Sequence, residues 1–168
     1  MTVYRYVDSP IGLLLLAGAD GVLARLHFSR GSKARQPDPL WAHGPDAFPD
    51  AARQLHAYFA GELRQFDLPL NPAGTPFQLS VWRELLRIPY GVTSTYGEVA
   101  KRLGNPAASR AVGLANGANP IAIIQPCHRV IGVTGKLTGF GGGLDLKERL
   151  LRLESGERDL FQKTKPEG

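Results

Sequence analysis

The spacing of apolar residues changes character along the chain, and each change predicts an element. Val3-Tyr4-Arg5-Tyr6-Val7 is rich in β-formers and runs into the turn Asp8-Ser9-Pro10. Leu13–Leu16 is a short apolar run, and Ala19-Asp20-Gly21 predicts a hairpin turn before Val22–Phe28. Residues 2–28 therefore predict two or three strands. Residues 29–48 hold Ser, Gly, Pro, Lys and Arg without periodicity and predict a long, mobile surface loop. From Pro49 to Glu62 the period becomes helical, with Ala52, Leu55, Tyr58 and Phe59 on one face. Phe66–Leu70 predicts a short last strand, and Asn71-Pro72-Ala73-Gly74 a linker.

The second half is punctuated as a set of helices. Thr75-Pro76-Phe77-Gln78 is a capping box with proline at the first helical position. Phe77, Val81, Trp82 and Leu85 form the buried stripe of that helix, and Pro89 and Gly91 end it. Thr95-Tyr96-Gly97-Glu98 is a second capping box, whose short helix stops at Gly104. Asn105-Pro106 opens a third helix that ends at Gly117. Two helices joined by a tight glycine turn predict either a helix-turn-helix or an ordinary helical corner. The second of the pair presents Ser109 and Arg110 near its start. Ile121–Ile124 predicts a buried stretch leading into Pro126-Cys127-His128-Arg129-Val130. After a turn at Gly132–Gly135 and a glycine-rich loop at 137–143, Leu144–Glu154 predicts a last amphipathic helix with Leu146, Leu150 and Leu153 inward. The predicted class is α/β. A small N-terminal lobe of sheet and helix spans 1–74, a mainly helical C-terminal lobe spans 75–156, and a poorly ordered tail covers 157–168.

Composition narrows the function classes. The hydrophobic fraction is 43% and the charged fraction 21%, ordinary for a soluble globular chain. No apolar run approaches a membrane span, and the first residues lead straight into apparent strand, so a cytoplasmic protein without a signal peptide is expected. The formal net charge of +5 is unevenly placed. Residues 1–75 and the tail from 155 are each balanced, so all the excess lies in 76–154. Such asymmetry fits a lobe that meets a polyanion, although a basic surface kept for solubility would look the same. The four histidines, His27, His43, His56 and His128, have no metal-ligand spacing, and one cysteine builds neither a disulfide nor a cysteine-rich zinc site. No metal and no cofactor are expected.

Cys127 is the only cysteine. A lone cysteine is most often a small buried hydrophobe. Here His128 adjoins it and can accept its proton, and Arg129 adds positive charge that favours thiolate. Pro126 blocks regular strand or helix. That matters because strand geometry would send Cys127 and His128 to opposite faces.

Pro126-Cys127-His128-Arg129-Val130 resembles the active-site motif of the O6-alkylguanine-DNA alkyltransferases. The resemblance continues through Phe77–Gly91, Tyr96–Ala100, Ser109–Gly113, Asn119-Pro120 and Leu137 to Glu154, in order and with matching spacing. The N-terminal lobe resembles the family only in size and strand pattern. The resemblance implies DNA repair by stoichiometric, irreversible transfer of an alkyl group from O6-alkylguanine, and from O4-alkylthymine, to Cys127. It implies His128 as the base acting through a water, Glu154 as the carboxylate orienting His128, and Asn119 as the brace of the neighbouring turn. Tyr96 matches a tyrosine that crowds the phosphate and donates to guanine, and Arg110 an arginine that fills the stack vacated by a flipped base. Ala107, Ala108, Ser109, Ala111 and Arg129 fall on the implied DNA surface, where small residues allow close approach in the minor groove. Pro126, Val130, Phe140 and Gly141 match the guanine pocket. Double-stranded DNA is the implied partner, with a monomer in solution that clusters on DNA.

Two positions depart from the family pattern. Gln125 replaces an aliphatic residue, and a buried amide there would need partners. Phe140 replaces tyrosine, which implies a lost hydroxyl and a slower reaction. Three rivals stand beside this reading: a non-catalytic lesion sensor, a sequence-specific regulator using the helix-turn-helix, and a cysteine hydrolase or redox protein. The present cysteine weighs against the first, the lack of an evident dimer surface against the second, and the missing resolving thiol against the third.

Overall fold

The computed structural model describes residues 1–29, 35–135 and 143–156. Phe140, Gly141, the tail 157–168 and part of the 29–48 segment lie outside them. Three antiparallel strands open the chain: β1 (Val3–Val7), β2 (Leu14–Ala19) and β3 (Val22–Phe28). β2 is central, and its Leu14–Ala17 are fully buried because both faces are covered. The ladder between β2 and β3 shifts register at Ala17/Gly18. A Cβ at Gly18 would run into the Val22 carbonyl, so the bulge admits only glycine there.

Two expectations for this lobe fail. The segment read as an unstructured loop contains β4 (Ala42–His43), which pairs parallel with β1 and completes the sheet order β3-β2-β1-β4. Two residues carry no periodicity for sequence to reveal. Phe66–Leu70 is not a strand: Leu70 makes a single bridge to Leu23, next to a Leu23 N–H bond to the Pro69 carbonyl at 3.2 Å. Pro69 has no N–H to extend a ladder. Helix α1 (Pro49–Phe59) is three residues shorter than expected and buries Ala51, Ala52, Leu55, Tyr58 and Phe59 in the core.

The second half follows its capping signals except at Asn105, where the expected helix start is a 3-10 turn and the α-helix begins only at Ser109. α2 (Pro76–Leu85) starts at a complete capping box on Thr75 and Gln78, and ends before the expected Pro89. The short strand β5 (Ser94–Thr95) leads into α3 (Tyr96–Arg102), capped reciprocally by Thr95 and Glu98. Gly104 turns the chain with φ of 77°, a 3-10 turn covers Pro106–Ala108, and α4 (Ser109–Gly117) follows. Asn105 makes no side-chain cap. The Trp82 indole N–H donates to the Ala115 carbonyl at 2.9 Å and locks α2 to α4. β6 (Val130–Ile131) pairs parallel with β5, and α5 (Leu144–Glu154) is the last helix among the described residues. None of these helices is long and apolar enough to cross a membrane.

A backbone seam joins the two halves. The Leu26 N–H donates to the Pro120 carbonyl at 2.8 Å, and the Ala122 N–H donates to the Leu26 carbonyl at 3.1 Å. β3 therefore holds the segment that precedes Cys127.

On the same strand, His27 Nε2 is buried without a hydrogen-bond partner. Burial first, then Arg25 and Arg35, push its pKa down to about 4. The folded state thus binds a proton less readily than the unfolded chain. Stability is complete above the unfolded value near 6.5 and is lost as pH falls toward 4. Discounted for its partial exposure, His27 should cost roughly 1–2 kcal/mol between pH 7 and pH 4.5. Urea unfolding at both pH values will show a smaller loss for His27→Gln than for the parent. Equal losses would rule out this origin.

Candidate active site

Two three-residue turns aim Cys127. The Ile124 N–H donates to the Ala122 carbonyl at 2.8 Å around Ile123, a β-branched residue at φ of 72°. That is the strained sense of the γ-turn, held by burial of Ile123 and by the seam at Leu26. The Cys127 N–H then donates to the Gln125 carbonyl at 2.7 Å around Pro126, at φ −79° and ψ 68°. The proline ring presets this relaxed, inverse turn. Cys127–Arg129 follow as one turn of 3-10 helix, so their side chains do not alternate as strand neighbours would. Cys127 is 6% exposed and His128 is fully buried.

Behind the cysteine, Glu154 is the hub of a buried polar cluster. Its Oε2 lies 2.7 Å from His128 Nε2. Arg129 donates from Nε to Oε1 at 2.8 Å and from Nη2 to Oε2 at 3.0 Å. Its Nη1 donates to the Ile88 carbonyl at 2.7 Å. The Tyr58 hydroxyl donates to Oε2 at 2.6 Å. Burial opposes ionisation of Glu154, but the attraction of His128 and the hydrogen bonds from His128 and Arg129 outweigh it and hold the carboxyl well below its ordinary range. Burial lowers the His128 pKa, against the pull of Glu154. A neutral imidazole beside an ionised carboxylate carries its hydrogen on Nε2. Nδ1, which has no hydrogen-bond partner, is then a proton acceptor.

Expected residues fall in different places. Asn119 braces the turn: its Nδ2 donates to the Gln125 carbonyl at 2.7 Å, and its Oδ1 accepts from the Ile121 N–H at 3.1 Å. The same Oδ1 accepts from Gln125 Nε2 at 2.7 Å, so the buried amide of Gln125 is satisfied. Asn116 supplies a further brace, donating to the Cys127 carbonyl at 3.3 Å. Pro126 and Val130 are buried in the cysteine loop. Ala107, Ser109, Arg110 and Ala111 are exposed together on the 3-10 turn and the first turn of α4. Tyr96 is half-buried at the start of α3, with its ring alongside Gly113 of α4. The β5–β6 pairing, Thr95 opposite Ile131, ties this tyrosine to the strand that leaves the cysteine turn.

Arg129 requires a correction. It was expected on the DNA surface, but it is 7% exposed and its guanidinium is engaged by Glu154 and Ile88. A buried carboxylate demands a paired cation, and Arg129 is the neighbour that reaches it.

Lys147 and Asn116 were not expected at the site, and Tyr58 was expected only on the buried face of its helix. Lys147 is fully buried and donates from Nζ to the Val130 carbonyl at 2.7 Å. Burial lowers its pKa, and negative charge on Cys127 raises it. One signal was present in the chain. Lys147 and Glu154 lie two helical turns apart, on the same face as Leu146, Leu150 and Leu153. Among the described residues no group of His, Cys, Asp and Glu is placed to hold a metal ion.

Comparison with known proteins accounts for nearly the whole chain. Residues 2–72 match the family described as 6-O-methylguanine DNA methyltransferase, ribonuclease-like domain, and residues 76–156 match its DNA binding domain. A methylated-DNA–protein-cysteine methyltransferase of Methanosarcina acetivorans is 58% identical over 151 residues, 90% of this chain and 97% of that protein. One from Mycolicibacterium paratuberculosis is 58% identical over 155 residues, 92% and 93% of the two chains. The crystal structure of Mycobacterium tuberculosis O6-methylguanine methyltransferase superposes with a TM-score of 0.87 at 55% identity, covering 93% of this chain and 94% of that one. That of Mycobacterium tuberculosis OGT in complex with DNA gives 0.88 at 52% identity, covering 95% and 99%.

Proposed function

Since the chain belongs to the 6-O-methylguanine DNA methyltransferase family, which repairs DNA by moving an alkyl group to a protein cysteine, we propose that Cys127 is the acceptor and that His128 and Glu154 activate it. The observation that carries this assignment is the placement of the only cysteine beside a histidine whose far nitrogen is tied to a buried carboxylate.

The chemistry follows from that arrangement. Glu154 keeps the His128 hydrogen on Nε2, and Nδ1 takes the thiol proton directly or through a water. The thiolate attacks the alkyl carbon in line with the C–O bond. A C–S bond forms, the C–O bond breaks, and its electron pair passes to guanine O6. The departing guanine needs a proton or hydrogen bonds as charge develops, and Tyr96 is the donor assigned to it. A thioether is stable, and among the described residues no group in the site is suited to cleave it, so each molecule reacts once.

An O6-alkyl group lies inside the stacked duplex, beyond reach of a buried sulfur, so the target nucleotide is flipped out. Flipping costs a few kcal/mol, and Arg110, exposed at the start of α4, offsets part of it by filling the vacated stack. The alanines beside it let the 3-10 turn and α4 approach a minor groove closely. Phosphate contacts from the basic C-terminal half dominate affinity, since a lesion scanner gains nothing from reading sequence. Residues 1–74 support, residues 75–156 bind and react, the protein acts as a monomer, and O4-alkylthymine is a second substrate by the same displacement.

The test is a mass measurement after incubation with duplex DNA carrying O6-methylguanine. The peptide containing Cys127 gains one methyl group, and Cys127→Ala protein gains none. Full repair of the lesion by protein with an unmodified Cys127 would overturn the assignment.

A further inference from the structure

Glu154 Oε2 accepts more than an orienting carboxylate needs. Besides His128 and Arg129 it takes the Tyr58 hydroxyl at 2.6 Å, from a residue 96 positions away on α1 in the other lobe. Tyr58 is fully buried. Its ring is fixed by Phe59, Phe66 and Tyr90, with centroids 5.1, 5.4 and 6.2 Å away. The hydroxyl therefore has one direction in which to point, and that direction is the oxygen holding the His128 hydrogen.

We propose that Tyr58 is a positioning residue for alkyl transfer, whose hydroxyl shares Glu154 Oε2 with His128 and so sets how strongly the carboxylate polarises the imidazole. The proposal rests on the reading of His128 as the base. A carboxylate that divides its charge among several donors pulls less on each of them. Pulled too strongly, the imidazole would be held as imidazolium and could not take the thiol proton. Pulled too weakly, it would be a poor base. The charged and titratable groups around this balance are Tyr58 from α1, Tyr90 from the α2–β5 connection, Cys127, His128 and Arg129 from the 3-10 turn, and Lys147 and Glu154 from α5. Burial and the Glu154 charge push the Tyr58 hydroxyl well above its ordinary range, so it remains a donor wherever the enzyme works. The N-terminal lobe thereby supplies part of the relay that drives the C-terminal chemistry.

Tyr58→Phe keeps the ring and removes only the donor. Oε2 then presents more charge to His128. The acid limb of the alkyl-transfer rate on O6-methylguanine duplex should move up by about half a pH unit, slowing the reaction on that limb about threefold. Incorporating 3-fluorotyrosine at Tyr58, a stronger donor, should move the limb down, and it carries the test if Tyr58→Phe does not fold. Nitrogen-15 titration of the His128 imidazole in free protein should shift in the same senses. A purely structural tyrosine would lower the melting temperature and leave the limb and the imidazole titration in place, which would overturn the proposal. If the parent protein takes up no methyl group, the assignment of Cys127 fails. The imidazole titration, which needs no DNA, still decides whether Tyr58 tunes His128.

Discussion

Glu154→Ala protein will unfold about 4 kcal/mol more easily than the parent and will transfer alkyl groups at least about 100-fold more slowly. The stability loss follows from what remains behind. Arg129 is 7% exposed and gives two of its hydrogen bonds to Glu154, so removing the carboxylate leaves a buried guanidinium without its counter-charge. Tyr58, fully buried, also loses its acceptor. The rate loss has a separate origin. Without Oε2 the His128 hydrogen is no longer fixed on Nε2, and Nδ1 stops being a dependable acceptor for the thiol proton. Glu154→Gln separates the two effects. It keeps the volume and one acceptor but not the charge, so part of the stability should return while the rate stays low. Urea unfolding and single-turnover transfer on methylated duplex give both numbers. A stability loss below about 1 kcal/mol would mean that the cluster rearranges freely around Arg129.

Lys147→Met should slow alkyl transfer at pH 7 by about tenfold and move the thiol's reactivity toward higher pH. Lys147 has no exposed surface, and its ammonium is coupled to charge on Cys127. The coupling is reciprocal: the ammonium that a thiolate stabilises also stabilises the thiolate. Taking it away favours the neutral thiol, so less thiolate is present at neutral pH. Methionine fills similar volume, so packing around Leu146 and Leu150 should survive. The Val130 carbonyl loses a donor, while the desolvation of a buried ammonium is relieved, and these partly cancel. Alkylation of Cys127 by iodoacetamide across pH, without DNA, isolates the charge effect. An unchanged profile would show that Lys147 serves only to hold Val130. Glu154→Ala should thus loosen the site, whereas Lys147→Met should leave it folded but less reactive.

Features encoded within a few residues were legible from the chain alone. The capping boxes at Thr75–Gln78 and Thr95–Glu98 form as read, because the hydroxyl and the amide or carboxylate that satisfy the first turn lie three positions apart. The buried face of α1 and the inward leucines of α5 follow from helical spacing for the same reason. The cysteine loop announced itself through Pro126, which excludes regular strand and helix there, while Asn119 and Asn116 hold the turn that results. Errors occur where pairing is distant or the element short. β4 depends on β1 lying alongside, and Phe66–Leu70 fails as a strand because Pro69 cannot donate.

By itself, then, the sequence determined the starts of α1, α2, α3 and α5, the break in regular structure at Cys127 and the membership of a repair family. Each of these is written in adjacent residue types. The tertiary structure alone decided which charges meet. It turned Arg129 inward from the expected DNA face and drew Lys147 into the core beside Val130. It also brought Tyr58 across from the other lobe onto Glu154. A buried charge must find its partner wherever folding places one, and that choice is made by three-dimensional packing rather than by neighbours along the chain.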